Sequence, residues 1–518
     1  MQTEKEYFLD RSISALHSES AGEYPLPDYN GDVKRILMIK PRVIPSGKFL
    51  GDDCVEFSGI VNYDIVYLDG ENNVTHADFS TDYDLSVKVL SDEYVDADIS
   101  TSVSVYNVRL IGPRKFSAKC SLESNVHISE RRSLSVDGDA FDSYEPETSE
   151  VSVGVLHCSA FSADEREYAE ELVQLEGAIV DEVEVLFSDV WVDVKSIAEV
   201  SADRTEVKGD MHFTLIYKNG DMMPEKVSKI LPYSESVSGE GLDSFMSTSA
   251  RINVLSVKSD VNPTADGVCI VMSAILEPTI RCMKNEAITL VKDAYLKERG
   301  TRAEYTDFNY TEFICSESSD DDFGVKIELN ELNDLSNNSS FIHAEAMPRV
   351  ESCEIVDNRV KISGEVRFSA IACEVNEKGE KNYSAVKHNA PFDQYVNINC
   401  QIHENMYPEC SVSAYNVAMD VDGDSAYLSC SLASRVSVVA RRRQRCLGSL
   451  YLTDEEYRNN SSVITVYYPE EGESVFGIAK RFRTSVRTIA EDNMLSESVV
   501  ASSDASLLSH GIKKLIIK

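Results

Sequence analysis

Asp420-Val421-Asp422-Gly423-Asp424 is the segment whose residue types come nearest to holding a metal ion. Alternating carboxylates on a glycine-bent turn supply the oxygen ligands that a hard cation such as Ca²⁺ takes. The spacing does not follow through. Ser425 stands where an EF-hand loop needs glycine, and Ser431 where it needs a bidentate glutamate. A hairpin turn is the better reading. The nine histidines are dispersed, and none pairs with cysteines or carboxylates at ligand spacing. The chain has no G-x-S-x-G, no H-E-x-x-H, no phosphate-binding loop and no G-x-G-x-x-G after a strand. The sequence thus reads as a non-enzymatic protein with no cofactor and no metal.

Two further groups could bind rather than react. Arg441-Arg442-Arg443-Gln444-Arg445 is a dense basic run in a chain of net charge −38. It could dock an acidic partner, but a solvated strand end neutralised by nearby carboxylates is the favoured reading. The single tryptophan, Trp191, lies on an alternating strand and reads as core. So acidic a body would be repelled by nucleic acid and by anionic lipid. Twelve cysteines are scattered without a C-x-x-C pair, and several, such as Cys269 and Cys430, fall within apolar strand patterns. They read as buried free thiols of a reducing cytoplasm. The opening residues Met1–Glu6 carry acidic groups and no apolar run, and no stretch approaches the roughly 18 apolar residues of a membrane helix. The expectation is a chain that stays in the compartment where it is made.

The elements that would position a site are clearest at the C-terminus. Residues 463–468 read as a strand and 512–517 as another. Between them Val475, Ile478, Ala479 and Phe482 fall at helical spacing, with Ser474 placed as N-cap. Thr484 or Ser485 can cap a second helix carrying Val486, Ile489 and Ala490, with Asn493 as its left-handed stop. This segment holds seven basic and seven acidic residues, so the acidity lies in residues 1–462.

That body repeats at roughly 150 residues. Phe57-Ser58-Gly59-Ile60-Val61-Asn62-Tyr63 matches Val207–Phe213 around Gly209 and Ile362–Phe368 around Gly364. Each glycine is followed four residues later by an aromatic. Ser102–Val108 returns as Ser411–Val417, and Cys120-Ser121-Leu122 as Cys430-Ser431-Leu432. Apolar and polar residues alternate, and Asp69-Gly70, Asn219-Gly220 and Asp422-Gly423 supply hairpin turns. The expected fold is mainly β, with three repeated antiparallel β-sandwich or barrel-like units followed by a small βααβ domain. The boundaries read as an N-terminal segment at 1–23 and units at 24–136, 177–298 and 326–446. Linkers follow at 137–176 (with a short helix at Ala163–Leu172), 299–325 and 447–462, and the last domain is 463–518. The acidic, Ser-rich stretches near 137–150 and 316–339 read as flexible connectors.

With these residues in view, 463–518 resembles a LysM domain. Tyr467, Gly472-Glu473-Ser474, Ile478–Phe482, Val486, Ile489, Asn493 and Gly511 stand where that pattern places such residues. Leu26-Pro27-Asp28 with Asp32-Val33 and Ile36-Leu37 is similar to the opening of the SPOCS (DUF3794) domain of spore-forming Firmicutes. Three such units and a LysM domain resemble the SipL-like spore coat morphogenesis proteins. The resemblance implies a scaffold in the mother-cell cytoplasm that helps the coat encase the forespore. The implied partners are stage IV sporulation protein A, the coat ATPase, contacted through the LysM domain, and other coat proteins. It implies a partner-binding groove at Glu473, Ser474, Phe476, His510, Gly511 and Ile512. Phe476 reads equally as packed under the turn or as an exposed anchor. The alternative is a cell-wall protein whose LysM domain binds peptidoglycan. His510-Gly511-Ile512 replaces the family's Pro-Gly-Gln, so glycan binding is expected to be weak or absent.

Overall fold

Period-two patterning governs almost the whole chain, and the fold follows it: mainly β, in antiparallel sheets, with two short α-helices near the C-terminus. The computed structural model describes residues 5–28, 30–89, 94–134, 137–138, 144–161, 166–201, 204–238, 247–332, 335–457, 464–496, 499 and 507–518.

The first six strands are β1 (Lys5–Pro25), β2 (Val33–Leu50), β3 (Cys54–Asp69), β4 (Val74–Lys88), β5 (Tyr94–Gly112) and β6 (Lys115–Leu134). They form two sheets, β2-β3-β4 and β1-β6-β5, which face each other across one core. In that core Phe79 stacks with Tyr63 at 5.1 Å and with Phe116 at 6.1 Å between centroids. Burying each such ring stabilises the fold by about 2–3 kcal/mol. After β7 (Asp137–Gly138) come β8 (Glu145–Phe161), β9 (Arg166–Glu176), β10 (Val183–Ser201), β11 (Arg204–Asn219), β12 (Glu225–Ser238), β13 (Ser247–Thr264) and β14 (Gly267–Tyr295). Here β10-β11-β12 faces a sheet of β13-β14-β8 with β9 also on β14, over a core that includes Phe213, Met272 and Leu276. Next are β15 (Arg299–Glu328), β16 (Ser340–Val356), β17 (Arg359–Val375), β18 (Lys381–Asn397), β19 (Met406–Asp422) and β20 (Ser425–Glu456). Sheet β16-β17-β18 faces β15-β20-β19 around Phe368, Phe392 and Leu428. The chain ends with β21 (Thr465–Tyr467), α1 (Val475–Phe482), α2 (Val486–Asn493) and β22 (Leu515–Ile517), and β21 pairs antiparallel with β22.

The three glycines singled out by sequence occupy one kind of place. Gly59, Gly209 and Gly364 lie opposite Tyr83, Tyr233 and Phe392 in their hairpins. On the other side each faces a register shift, between Pro45/Gly47, Val194/Ser196 and Val350/Ser352. The bulge drives a backbone carbonyl into the glycine. A Cβ at Gly209 would stand 2.0 Å from the Asp193 oxygen, and one at Gly364 2.0 Å from the Arg349 oxygen. The aromatic opposite covers the bare backbone that the glycine leaves.

Several sequence boundaries need correction. The 1–23 segment is not separate, because β1 pairs along the length of β6. The short helix expected at Ala163–Leu172 is strand where it is described. Arg166–Glu176 pairs with β14, and a bulge at Ile270/Val271 lets Tyr168, Leu172, Val173 and Leu175 all meet the core. Their spacing also suits a helix, but the neighbouring ladder decides. Residues 163–165 lie outside the described residues. The 299–325 linker is β15, hydrogen-bonded to β20 from Arg299 to Glu328. Its run Ser316–Asp322 looked like a connector because its acidic residues suit solvent. As a sheet-edge strand it keeps those charges outward while its backbone is paired. Residues 145–150 belong to β8, and 447–456 continue β20. The 458–462 part of the last linker, and Val463 after it, lie outside the described residues. Asp420–Asp424 is the hairpin turn between β19 and β20, as its glycine suggested, with Asp422 opposite Ser425.

The inner sheets meet one another. Leu37, Met38 and Val66 from β2–β3, Leu186, Phe187 and Ile216 from β10–β11, and Ile342, Ile371 and Cys373 from β16–β17 share one apolar cluster. For the bulges beneath it, Gly364→Ala should lower stability by roughly 2–4 kcal/mol through the clash with the Arg349 carbonyl. The urea midpoint measures this, and the same change at exposed Gly379, whose neighbourhood is open but whose φ is +79°, should cost less.

Candidate functional site

The C-terminal segment is built as its caps dictate. Ser474 Oγ accepts a hydrogen bond from the Gly477 amide at 3.1 Å and starts α1, and Ser485 Oγ accepts from Thr488 at 3.0 Å and starts α2. Arg483 and Met494 end the helices in left-handed geometry at φ 58° and 49°. Asn493 is therefore not the stop expected of it. It is the last helical residue, and its amide brackets Ile516. Nδ2 donates to the Ile516 oxygen at 2.7 Å, and Oδ1 accepts from the Ile516 amide at 2.6 Å. That pairs backbone groups of β22 that have no strand partner on this side.

The two expected groove loops do converge. The Leu507 amide donates to the Glu473 oxygen at 3.1 Å, and the Ile512 amide donates to the Leu507 oxygen at 3.2 Å. Gly511 turns the chain there at φ 78°. The side chains, however, are engaged within the segment. Glu473 accepts from the Tyr467 hydroxyl at 2.8 Å and the Glu470 amide at 2.9 Å, and pairs with Arg481 at 2.7 Å. Burial opposes its ionisation, but those three donors outweigh it and hold the carboxyl below the usual range. Ser474 is spent on its cap and Ile512 is half-buried against the segment's core. The His510 side chain lies outside the described residues.

Phe476 is not an exposed anchor. Only 7% of its surface is accessible, and its ring meets Tyr295 edge-on at 5.4 Å. Tyr295 ends β14 and donates to the Thr484 oxygen at 2.5 Å. Lys480 bonds Asp293 at 2.5 Å, Arg483 donates to the Leu296 oxygen at 3.1 Å, and its guanidinium lies 4.0 Å from the centre of the Tyr457 ring. The Phe476 face of α1 is thus a docking face onto the chain's own body.

An apolar surface lies open on the ribbon. Ile464, Val466 and Tyr468 alternate outward with 67%, 54% and 68% exposure. Val466 lies opposite Ile516, itself 39% exposed. Sequence reasoning missed this face, although the alternation of 464, 466 and 468 beside a two-stranded ribbon was a usable signal.

The other groups singled out are structural. Arg442 pairs with Glu312 at 3.0 Å, Arg443 pairs with Asp307, and Arg441 and Arg445 lie over Tyr407 and Tyr305. Trp191 is only half-buried, not core: it stacks on His212 at 4.0 Å and approaches Tyr415 from the third sheet pair at 5.9 Å. Among the described residues no three His, Cys, Asp or Glu side chains gather as metal ligands.

A cluster that sequence reasoning did not anticipate lies where the inner sheets meet. Lys40 of β2 bonds Asp189 of β10 at 2.5 Å and Glu345 of β16 at 2.9 Å. Arg42 joins Asp189 at 2.7 Å and lies 4.0 Å from Asp64, and His343 meets Glu345 at 2.7 Å. Burial opposes the Lys40 charge, but the two carboxylates outweigh it and hold the ammonium above its ordinary range. Burial likewise opposes ionised Glu345, and Lys40 and His343 hold its carboxyl below the usual range. Asp64 goes the other way. Burial raises it to about 6, only partly offset by Arg42 and reinforced by Asp189 and Asp78. One of its oxygens is buried without a hydrogen bond.

No family model matches the chain. No curated protein matches it either. Among solved structures, the crystal structure of lipopolysaccharide binding protein is a neighbour at 7% identity, over 51% of this chain and 91% of that one, with a TM-score of 0.07. So low a score carries no argument about fold or function. No helix is long and apolar enough to cross a membrane among the described residues.

Two predictions follow from this geometry. A carboxyl raised on folding binds its proton more tightly in the native state, so its contribution falls as pH rises from about 4 through about 6. Asp64→Asn should therefore match the parent near pH 4 and exceed its stability at pH 8 by up to about 3 kcal/mol, read from paired urea titrations. Phe476→Ala should cost about 3 kcal/mol or more in the C-terminal segment. Limited proteolysis should then release that segment from the body, whereas a variant at exposed Tyr468 should leave it protected.

Proposed function

We propose that this chain is a non-enzymatic scaffold of spore coat assembly, similar to the SipL-like proteins, which binds a protein partner through its C-terminal domain. The observation that carries the reading is the exposed Ile464–Val466–Tyr468–Ile516 face on a domain otherwise fixed to its own body. A concentrated apolar face with an aromatic at its rim has the composition of an interface centre.

The domain reading is supported by the strand–helix–helix–strand order and by the pairing of the first and last strands, as the resemblance to a LysM domain implies. The repeat reading is supported by connectivity. In each third of the body three consecutive strands form the inner sheet, and the next two join preceding chain to form the outer one, a single strand in the first and third and the two strands β8 and β9 in the second. The bulge-facing glycines fall at the same strand position each time. So do Lys40, Asp189 and Glu345, which lie opposite Asp64, Thr214 and Ser369, each five residues beyond its glycine.

The partner proposed from the resemblance is stage IV sporulation protein A, the coat ATPase, in the mother-cell cytoplasm at the forespore surface. The contact surface is moved from the Phe476 loop to the ribbon face; Glu473 bonds Tyr467, on the other face of β21, and Ile512 packs on the segment's core.

Val466→Asp with Ile516→Asp places two charges on that face without touching the core. Titration of the purified ATPase with the full chain should show at least a thirtyfold loss of affinity, about 2 kcal/mol, at unchanged melting temperature. Unchanged affinity would refute the ribbon as the contact. Co-sedimentation of the full chain with purified peptidoglycan, without capture of the ATPase, would favour the cell-wall alternative.

A further inference from the structure

Four cysteines of the third sheet pair stand in two couples. Cys315, at the bulge of β15, has its sulfur 3.5 Å from that of Cys400, which follows β18. Cys353 of β16 neighbours Cys410 of β19, and these edge strands bring the two sheets together there. All four are half-buried, so small reagents can approach them, whereas Cys120 and Cys430 are fully enclosed in their cores. Each couple joins one sheet of the pair, or the segment leaving it, to the facing sheet.

We propose that these couples are a thiol modification site, closing to Cys315–Cys400 and Cys353–Cys410 disulfides when the chain meets a small-molecule disulfide. The second couple has a defined attacking atom. The neighbouring Cys353 thiol favours the Cys410 thiolate, so Cys410 sits below its ordinary range while Cys353 is held above its own. Cys410 attacks one sulfur of the reagent, breaking its S–S bond and releasing one thiolate. Cys353 then loses its proton and attacks the Cys410 sulfur of the mixed disulfide, expelling the second thiolate. The chain is oxidised by two electrons and the reagent is reduced to two thiols, so atoms and charge balance. At Cys315–Cys400 burial comes first in holding the Cys315 thiol up, to about 12, followed by its neighbour Cys400. That couple closes more slowly at neutral pH.

An independent observation supports the placement. Cys353 lies opposite Ile362, two residues before Gly364. The corresponding residue of β2, opposite Phe57 and two before Gly59, is Lys48, which binds Asp96 at 2.5 Å and the Ala97 oxygen at 2.9 Å on the facing sheet. The same position thus holds an ionic clamp between sheets in the first pair and a thiol couple in the third. Oxidation converts that couple into a covalent clamp, and closing a chain loop this way raises stability.

The test treats the folded full chain with oxidised glutathione and maps its peptides without reduction. The expected result is two bridged peptides, Cys315–Cys400 and Cys353–Cys410, each lighter by two hydrogens, with Cys120 and Cys430 unmodified and a melting temperature raised by several degrees. Cys353→Ser should abolish its own bridge, leave a stable glutathione adduct on Cys410 and spare the other couple. Glutathione adducts without internal bridges in the parent chain, bridges between other cysteines, or four unreacted thiols would each overturn the proposal. Circular dichroism before and after treatment ensures that the folded chain reacted.

Discussion

The body depends on one electrostatic constraint. Strands β2, β10 and β16 of three inner sheets come together, and at the meeting point a lysine faces two carboxylates from the other two sheets. With 22%, 9% and 24% of their side-chain surface exposed, Lys40, Asp189 and Glu345 are too enclosed to be left unpaired. Removing one partner from such a group costs several kcal/mol, whereas a hydrophobic replacement of the whole set can be neutral. The cluster is thus best understood as specifying arrangement. A rotation of one sheet pair about the centre would set carboxylate against carboxylate or strand Lys40. The apolar residues beside it, such as Met38, Phe187 and Ile371, supply the attraction but have no such preference of order.

Sequence reasoning could read the sheets and not this centre, for a physical reason. Alternation reports which face of a strand is covered, not what covers it. Gly59, Gly209 and Gly364 were legible because a close backbone approach admits no other residue, and the four-residue step to Tyr63, Phe213 and Phe368 keeps one face. Lys40, Asp189 and Glu345 differ in type at one shared position, so a search for likeness passes over them. Their relation is complementarity, which becomes visible once the strands are placed side by side.

The connectors failed for a related reason. Ser316–Asp322 is polar enough for a loop, yet it pairs with β20 residue by residue while three of its carboxylates meet the Tyr415, Gln394 and Ser431 side chains. Composition measures the wish of side chains for water, and an edge strand satisfies it on its open side. At the C-terminus the local signals were stronger. The serine caps and the apolar spacing of Val475, Ile478, Ala479 and Phe482 set the helices as read. What the helices packed against was not local information, so Phe476 could be assigned to the core or to a partner with equal reason. Tyr295, almost two hundred residues earlier, decides it.

That contact also shapes how the C-terminal domain can act. Strand β14 begins at Gly267 in the second core and ends at Tyr295 beneath α1, so a single strand joins the packed body to the docking face. The domain is held by an aromatic edge contact, a hydroxyl-to-carbonyl hydrogen bond, the Lys480–Asp293 pair and Arg483 on the Leu296 carbonyl. These involve α1 and the turn after it, leaving β21 and the outward face of β22 uncommitted. A partner that grips the ribbon meets a surface already oriented, and little ordering entropy opposes the encounter. It also pulls on β14, whose far end is bonded on both sides, to β13 and β9, so force on the ribbon passes directly into a core ladder.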